Sequence, residues 1–271
     1  MGVTVVQDNR GASVHERREV IGRAPSPRPA AKLVTAGSGP GGPAHLAVIL
    51  DGNRRWARAR DRHPAEGHVA GLAKVPEFLG WCEEEGLRYV TLWLLSPDNL
   101  NRRWDELAPL FSTLEDTVRS VGRLQRWRVR HLGNPAILPT ALAEALAESE
   151  TSTREIAGMG VNLAVGYGGR EDVLFAIQRM IAQALEGGIA PDQLADWVSA
   201  ERLADELGTG GQPDPDLIIR TSGEYRLSGF LTWQAARAEF YFSPTLWPDF
   251  SQSDLREALR SYRQRNRRFG A

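Results

Sequence analysis

The chain has 271 residues, of which 42% are hydrophobic and 25% charged, so it can fold around a sizeable core. Its formal net charge of −1 argues against a nucleic-acid partner and leaves any anion binding to local arginine clusters. A single cysteine excludes an intramolecular disulfide and fits a cytoplasmic protein, and no apolar run is long enough to span a bilayer. We therefore expect at most peripheral contact with a membrane.

The first 44 residues differ in composition from the rest. Their second half, RAPSPRPAAKLVTAGSGPGGPA, is rich in Pro, Gly, Ala and Ser and has no aromatic residue. Such a segment cannot bury enough apolar surface to offset the entropy of ordering. We predict a flexible, disordered leader over 1–44, of undetermined role, and one folded domain over 45–271.

From residue 45 onwards, apolar runs that end at polar turns alternate with helical patterns. Strands are predicted at 46–50, 88–95, 128–133, 161–169, 215–224 and 238–242. Helices are predicted for the stretch up to Gly86, over 104–126 and 138–157, from Arg170 to Gly187, and from Ser251 or Ser253 to the C-terminus. This alternation predicts an α/β fold, with a mostly parallel central β-sheet and helices on both faces.

Polar clusters follow four of these strands: DGNRRW, SPDNLNR, GYGGR and RTSGEYRLS. In a parallel sheet the carboxyl ends of the strands meet at one edge, where ligands bind. The clusters are therefore predicted to form one site.

In the first cluster, Asp51 follows the strand directly, and Gly52 allows the backbone to turn. Arg54 and Arg55 begin a helix and supply charged donors for an anion. A carboxylate among such groups suits a hard cation such as Mg²⁺. The alternative is that Asp51 merely caps the helix.

The other clusters supply further polar groups. Arg220, Arg226, Ser222 and Ser228 would suit a diphosphate, or else form a surface salt-bridge loop. Glu239 needs a positively charged partner. Without further support, an ion pair with an arginine is a simpler explanation than a metal. A lone histidine such as His68 is more often structural than functional.

Taken in order, the motifs resemble those of the cis-prenyltransferases, the family of undecaprenyl diphosphate synthase. The resemblance runs from about residue 44 to the end and is closest to short-chain Z-farnesyl diphosphate synthases of actinobacteria. The matching strings are HLAVILDGNRRWA, GHVAG, SPDNLNR, VNLAVGYGGRED, DPDLIIRTSGEYRLSGFLTWQ, AEFYFSPTLWPDF and RNRRFG.

The resemblance implies a Mg²⁺-dependent transferase that condenses isopentenyl diphosphate with an allylic diphosphate and forms a Z double bond. Asp51 and Asn99 would be catalytic, and Asp51 and Glu239 would contact magnesium. The implied substrate-binding residues are Gly52, Asn53, Arg54, Arg55, Trp56, His68, Ser96, Arg102, Arg220, Arg226 and Ser228. The family also implies a homodimer, in which the tail Arg268-Phe269-Gly270 reaches the site across the interface.

Two positions bear on the substrate pocket, one as a departure from the family pattern and one as a marker of product length. An arginine expected shortly before Gly67-His68 is missing, and Arg60 or Arg62 is a candidate replacement. Leu94 stands where long-chain members carry a small residue beside the tunnel for the prenyl tail. Because overpacking costs about 1–3 kcal/mol, Leu94 predicts a short product, around C15.

Four alternatives stay open at this point. The chain could be a long-chain, undecaprenyl-type synthase, a non-catalytic accessory subunit, an unrelated phosphate-binding protein, or a relative redirected to irregular or cyclising prenyl coupling. The presence of Asp51, Arg220, Arg226 and Glu239 argues against the accessory role.

Overall fold

A computed structural model describes residues 42–265 and contains one sheet of six strands. All five strand pairings are parallel, in the order β3-β4-β2-β1-β5-β6, which confirms the predicted α/β fold. The strands are β1 (His45–Ile49), β2 (Tyr89–Leu95), β3 (Arg128–Leu132), β4 (Gly160–Val165), β5 (Leu217–Arg220) and β6 (Glu239–Phe242). The predicted leader, apart from 42–44, and the tail Arg268-Phe269-Gly270 lie outside the described residues.

Helices connect the strands. They are α1 (Asn53–Arg58), α2 (Pro64–Ala73), α3 (Val75–Glu84), α4 (Trp104–Arg123), α5 (Thr140–Ser152), α6 (Gly169–Glu186), α7 (Leu194–Trp197), α8 (Ala200–Glu206) and α9 (Gln252–Arg263). The helical stretch predicted up to Gly86 is three helices, because Pro64 and Pro76 occupy first turns, where a missing N–H costs nothing. The short helices α7 and α8 were not predicted. Ser251, not Ser253, caps α9, in a reciprocal box with Asp254.

Apolar side chains cover both faces of the sheet, which explains why the strands read as continuous hydrophobic runs. On one face, residues such as Val48, Leu92 and Leu163 pack in a core shared with α3, α4, α5 and α9. On the other, Ala47 and Ile218 belong to a smaller cluster. Cys82 is fully buried in the larger core, and burial raises the pKa of its thiol, so it is a packing residue. Between residues 42 and 265, no helix combines the length and apolarity needed to cross a membrane.

A buried polar network lies at the amino ends of the central strands. His45 Nδ1 donates to the carbonyl oxygen of Pro213 over 2.7 Å, and His45 Nε2 accepts from the Thr91 hydroxyl over 2.7 Å. Asn162 Nδ2 donates both to Thr91 Oγ1 and to the Gln212 side chain. Burial lowers the pKa of His45 to about 4, with the bond to Pro213 opposing that shift. The imidazole is therefore neutral in the folded protein at neutral pH.

This neutral histidine predicts acid sensitivity. Below pH 6.5 the unfolded chain protonates His45 while the folded chain does not, so stability is lost as pH falls from about 6.5 towards 4. The loss attributable to His45 should reach about 3 kcal/mol at pH 4. The free energy of urea unfolding, measured from pH 7.5 to 4.5, should fall more steeply for wild type than for His45→Asn. Equal slopes would contradict the prediction, and His63→Gln, at an exposed position, is the control.

Candidate active site

A cavity of about 440 Å³ opens at the carboxyl edge of the sheet, where β1, β2 and β5 end. Its lining confirms that three of the four strand-end clusters converge. The predicted residues that line it are Asp51, Gly52, Asn53, Arg54, Arg55, His68, Leu94, Ser96, Asn99, Arg102, Arg220 and Ser228. The GYGGR cluster does not line it; there, Tyr167 is buried and donates to Asp172.

Asp51 is held in place by contacts from several elements. The Thr221 hydroxyl donates to the Asp51 carbonyl over 2.7 Å, and the Trp247 amide donates to the same oxygen over 3.0 Å. Gly52 adopts a φ of 107°, and a Cβ there would lie 2.9 Å from the Leu246 side chain. A residue other than glycine would be strained at this turn. The Asp51 side chain is still one-third exposed, towards the pocket.

Arg220 joins the two sides of the pocket. It is buried, and its Nη2 donates to Asp51 Oδ2 over 2.8 Å. Its Nη1 donates to Ser228 Oγ over 3.0 Å and also to the carbonyl oxygen of Arg226. Its Nε is buried and has no partner within residues 42–265. The planar guanidinium of Arg220 thus holds the Asp51 carboxylate and the loop that follows β5 in a fixed arrangement.

Arg55 is anchored by a residue in an unusual backbone conformation. Ser222 has a φ of 79°, which is uncommon for a residue other than glycine. Both its carbonyl and its hydroxyl oxygen accept from Arg55, the carbonyl over 3.0 Å. Glu224 adds an ion pair with Arg55 at 3.3 Å. The loop that contains Ser222 therefore holds the Arg55 guanidinium in the pocket beside Asp51.

A buried carboxylate, Glu106, organises a second group of donors. Its Oε1 lies 3.1 Å from His68 Nε2, 3.3 Å from Arg102 Nη1 and 3.5 Å from Arg54 Nε. Burial lowers the pKa of His68, and the hydrogen bond to Glu106 opposes that effect. His68 Nε2 also lies 3.2 Å from Arg102 Nη1, so this nitrogen sits between the Glu106 acceptor and an arginine donor. Glu106 belongs to none of the predicted clusters, and its only signal in the sequence is the i,i+4 spacing from Arg102.

Ser96 and Asn99 cap the short 3₁₀ helix that follows β2 (97–101). The Asn99 amide donates to Ser96 Oγ over 3.3 Å, and the Ser96 amide donates to Asn99 Oδ1 over 3.2 Å. This reciprocal box fixes the Asn99 side chain at the pocket wall. Its Nδ2 group forms no hydrogen bond with the residues between 42 and 265 and can face a ligand.

Four predicted site residues do not line the pocket, and one of them is Ser222, whose hydroxyl oxygen accepts from Arg55. Trp56 lies elsewhere on α1, where its Nε1 donates to Asp249 over 2.7 Å. Arg226 is largely exposed and pairs with Glu224. Glu239 begins β6 and pairs with Arg265 at 2.7 Å.

The position of Glu239 follows from the register of the sheet. Glu239 lies opposite Leu217, at the amino end of β5, whereas Phe242 lies opposite Arg220 at the carboxyl end. The three-residue offset places Glu239 about 10 Å from the edge that carries Asp51. Within one chain, the structure therefore gives no support to Glu239 as a magnesium contact beside Asp51.

The two arginines considered as replacements for the missing family arginine are also outside the pocket lining. Arg60 pairs with Asp249 at 3.2 Å and stacks on the Trp56 ring at 4.3 Å. Arg62 lies over the same ring at 5.8 Å. These contacts give no support to either arginine as the replacement, which stays a prediction.

The donor set fits a magnesium ion that is shared with a ligand. Among residues 42–265, no group of three or more His, Cys, Asp or Glu could hold a metal. Mg²⁺ typically takes one or two carboxylates and completes its shell with phosphate oxygens and water. Asp51, partly exposed and surrounded by arginines, can supply such a carboxylate. Since α1 has only six residues, the arginine side chains rather than a helix dipole dominate anion attraction.

A family model matches residues 49–270 of the chain, and its description is that of an undecaprenyl diphosphate synthase, in a prenyltransferase family. Among curated proteins, the chain is 50% identical to "Isoprenyl transferase 1" of Streptomyces avermitilis, over 84% of this chain and 89% of that protein. It is 48% identical to the (2Z,6E)-farnesyl diphosphate synthase of Thermobifida fusca, over 84% and 90%.

A solved structure shares the fold. It is the lavandulyl diphosphate synthase of Lavandula x intermedia in complex with dimethylallyl diphosphate, with a TM-score of 0.79 and 37% identity. The match covers 84% of this chain and 98% of that one.

Proposed function

Because the chain belongs to the prenyltransferase family of undecaprenyl diphosphate synthase, we propose that it condenses isopentenyl diphosphate with an allylic diphosphate to give a short Z-prenyl diphosphate. The observation that carries this proposal is the Asp51–Arg220 pair in a pocket lined by further arginines. A diphosphate leaving an allylic carbon concentrates negative charge, which fixed cationic donors stabilise as it develops. Relatives at 43–50% identity include several named for Z-isoprenyl or (2Z,6E)-farnesyl diphosphate synthesis.

The pocket residues divide between two diphosphates in this proposal. Arg54, Arg55 and His68, on the side of α1 and α2, would bind the allylic diphosphate. Arg220 and Ser228 would bind that of isopentenyl diphosphate, and Asn99 would orient the allylic carbon towards the alkene. Holding both reactants in one pocket removes much of the entropic barrier to carbon–carbon bond formation.

Asp51 lies between these two groups and would hold the magnesium ion together with the allylic diphosphate. When bound there, magnesium would supply charge neutralisation for the departing diphosphate. Arg220, fixed to Asp51 Oδ2, would keep the carboxylate pointing at this position.

Leu94 supports a short product. Its side chain lines the pocket and also packs against the large core cluster. A leucine on this wall occupies volume that a longer prenyl tail would need. We therefore propose a product of around C15.

Product analysis tests both the reaction and the chain length. The purified chain alone, with Mg²⁺, radiolabelled isopentenyl diphosphate and geranyl diphosphate, should give a C15 product with a Z double bond, and Leu94→Ala should extend it. An undecaprenyl-length product from wild type would refute the short-chain proposal. No turnover without a partner would indicate the accessory subunit, and a mass or fragmentation pattern of an irregular or cyclic product would indicate redirected coupling.

The proposed enzyme is a homodimer, and an apolar stripe on α6 supports this. Leu174, Ile177, Ile181 and Leu185 follow helical spacing along one face of α6 and are exposed in the single chain. A second copy of the same face would bury them. Sedimentation should give the mass of a dimer for wild type and of a monomer for Ile181→Glu. A monomeric wild type would overturn this assignment.

A further inference from the structure

The pocket contains one arginine that no predicted role uses. Arg58, in the last turn of α1, lines the cavity together with Arg54, one turn earlier. Because residues four apart share a helix face, both guanidinium groups point to the same side of α1. Arg58 was absent from every motif that the sequence singled out.

Arg58 also differs from its neighbours in having no carboxylate partner among residues 42–265. Arg220 pairs with Asp51 at 2.8 Å, Arg102 with Glu106 at 3.3 Å, and Arg55 with Glu224 at 3.3 Å. Within residues 42–265, the Arg58 guanidinium forms neither a hydrogen bond nor an ion pair with another residue. An incoming anion must share the paired arginines with carboxylates, but meets Arg58 without such competition.

The surrounding charges favour an anion at this position. Arg54 and Arg58 carry like charges one helical turn apart, an arrangement that a further negative group beside Arg58 would stabilise. Arg54 lies 3.5 Å from Glu106, so its charge is partly compensated, whereas that of Arg58 is not compensated by any described residue. A free phosphate group, with several charged acceptor oxygens, can satisfy both guanidinium groups.

We propose that Arg58 binds the allylic diphosphate and supplies the positive charge that the family pattern places just before Gly67-His68. This rests on the proposed function. Arg58 lies on α1 one turn from Arg54, so its effect should fall on the allylic substrate assigned to that helix. It contributes binding and positioning rather than a chemical step.

The test compares Arg58→Gln with Arg62→Gln, which removes the same charge four residues on, outside the pocket lining. Arg58→Gln should raise the KM for geranyl diphosphate about tenfold, with kcat and the KM for isopentenyl diphosphate changing less than twofold. Arg62→Gln should change all three constants less than twofold. Arg58→Lys should recover part of the lost affinity, which a purely structural role would not predict.

Three outcomes would overturn the proposal: an unchanged KM for geranyl diphosphate in Arg58→Gln, an equal rise in both KM values, or the same effect in Arg62→Gln. Calorimetric titration with inorganic pyrophosphate and Mg²⁺ provides a readout that does not need turnover. There, Arg58→Gln should bind about tenfold more weakly than wild type. A wild type that binds pyrophosphate but condenses no substrate would refute the proposed function, while the difference between the titrations would still decide the role of Arg58.

Discussion

Replacing Asp51 by asparagine should lower kcat by about three orders of magnitude while leaving the fold intact. The change removes the negative charge that magnesium requires. It also turns one side-chain oxygen into an NH₂ group, so that a donor faces either Arg220 Nη2 or the Gly52 amide, both of which now donate to Asp51. The backbone contacts from Thr221 and Trp247 do not involve the side chain and should hold the loop in place.

Single-turnover kinetics with increasing Mg²⁺ measures this effect, and near-UV circular dichroism verifies the fold. The control is Asp105→Asn, which removes an exposed carboxylate that pairs with Arg103 outside the pocket. That variant should keep kcat within about twofold, since exposed ion pairs contribute little. If Asp51→Asn retains more than a tenth of wild-type kcat, Asp51 does not organise the metal.

Arg220→Lys should lower kcat/KM for isopentenyl diphosphate about a hundredfold. Lysine keeps the charge, but its compact ammonium cannot reach Asp51, Ser228 and the Arg226 carbonyl with the fixed geometry of a planar guanidinium. The carboxylate would lose its orientation, and the Ser228 loop its anchor. A charge-conserving change should therefore act almost as strongly as a charge removal.

A double-mutant cycle with Asp51→Asn separates the shared contact from independent effects. Because Arg220 and Asp51 are directly bonded, the double variant should lose clearly less than the sum of the two single losses in activation free energy. Arg179→Lys is the control. Arg179, on α6, is a half-buried arginine that pairs with Glu206 at the end of α8 and does not line the pocket. It should alter stability without altering kcat/KM. Strict additivity of Asp51→Asn and Arg220→Lys would refute a common role.

The positions of Trp56 and Glu239 outside the pocket lining have geometric causes. Trp56 adjoins Arg55 in the motif, but a helix turns by about 100° per residue, so Trp56 and Arg54 point in nearly opposite directions while Arg58 returns to the Arg54 side. Glu239 is the first residue of its strand, and in a parallel sheet the first residues lie at the edge opposite the ligand crevice. The helical turn at Trp56 and the strand position of Glu239 are both readable in the sequence, so both locations could have been predicted.

Glu106 could not have been found in this way. It occupies the first turn of α4 in the string WDEL, where an acidic residue is common as a partner of the helix dipole. Only the packing of α2 and α1 against α4 brings His68 and Arg54 to its carboxylate. Its role depends on three segments that are distant in the chain.

The α/β architecture, the six strands, the family, and the edge of the sheet at which Asp51 and Arg220 lie could all be predicted from the chain, because apolar periodicity and strand direction are local properties. Which charges are paired became visible in the folded arrangement alone. Asp51 and Arg220 are 169 residues apart in the chain and 2.8 Å apart in space, whereas Arg58 has no carboxylate partner among the described residues. Pairing depends on distances between separate elements, which local patterns do not contain.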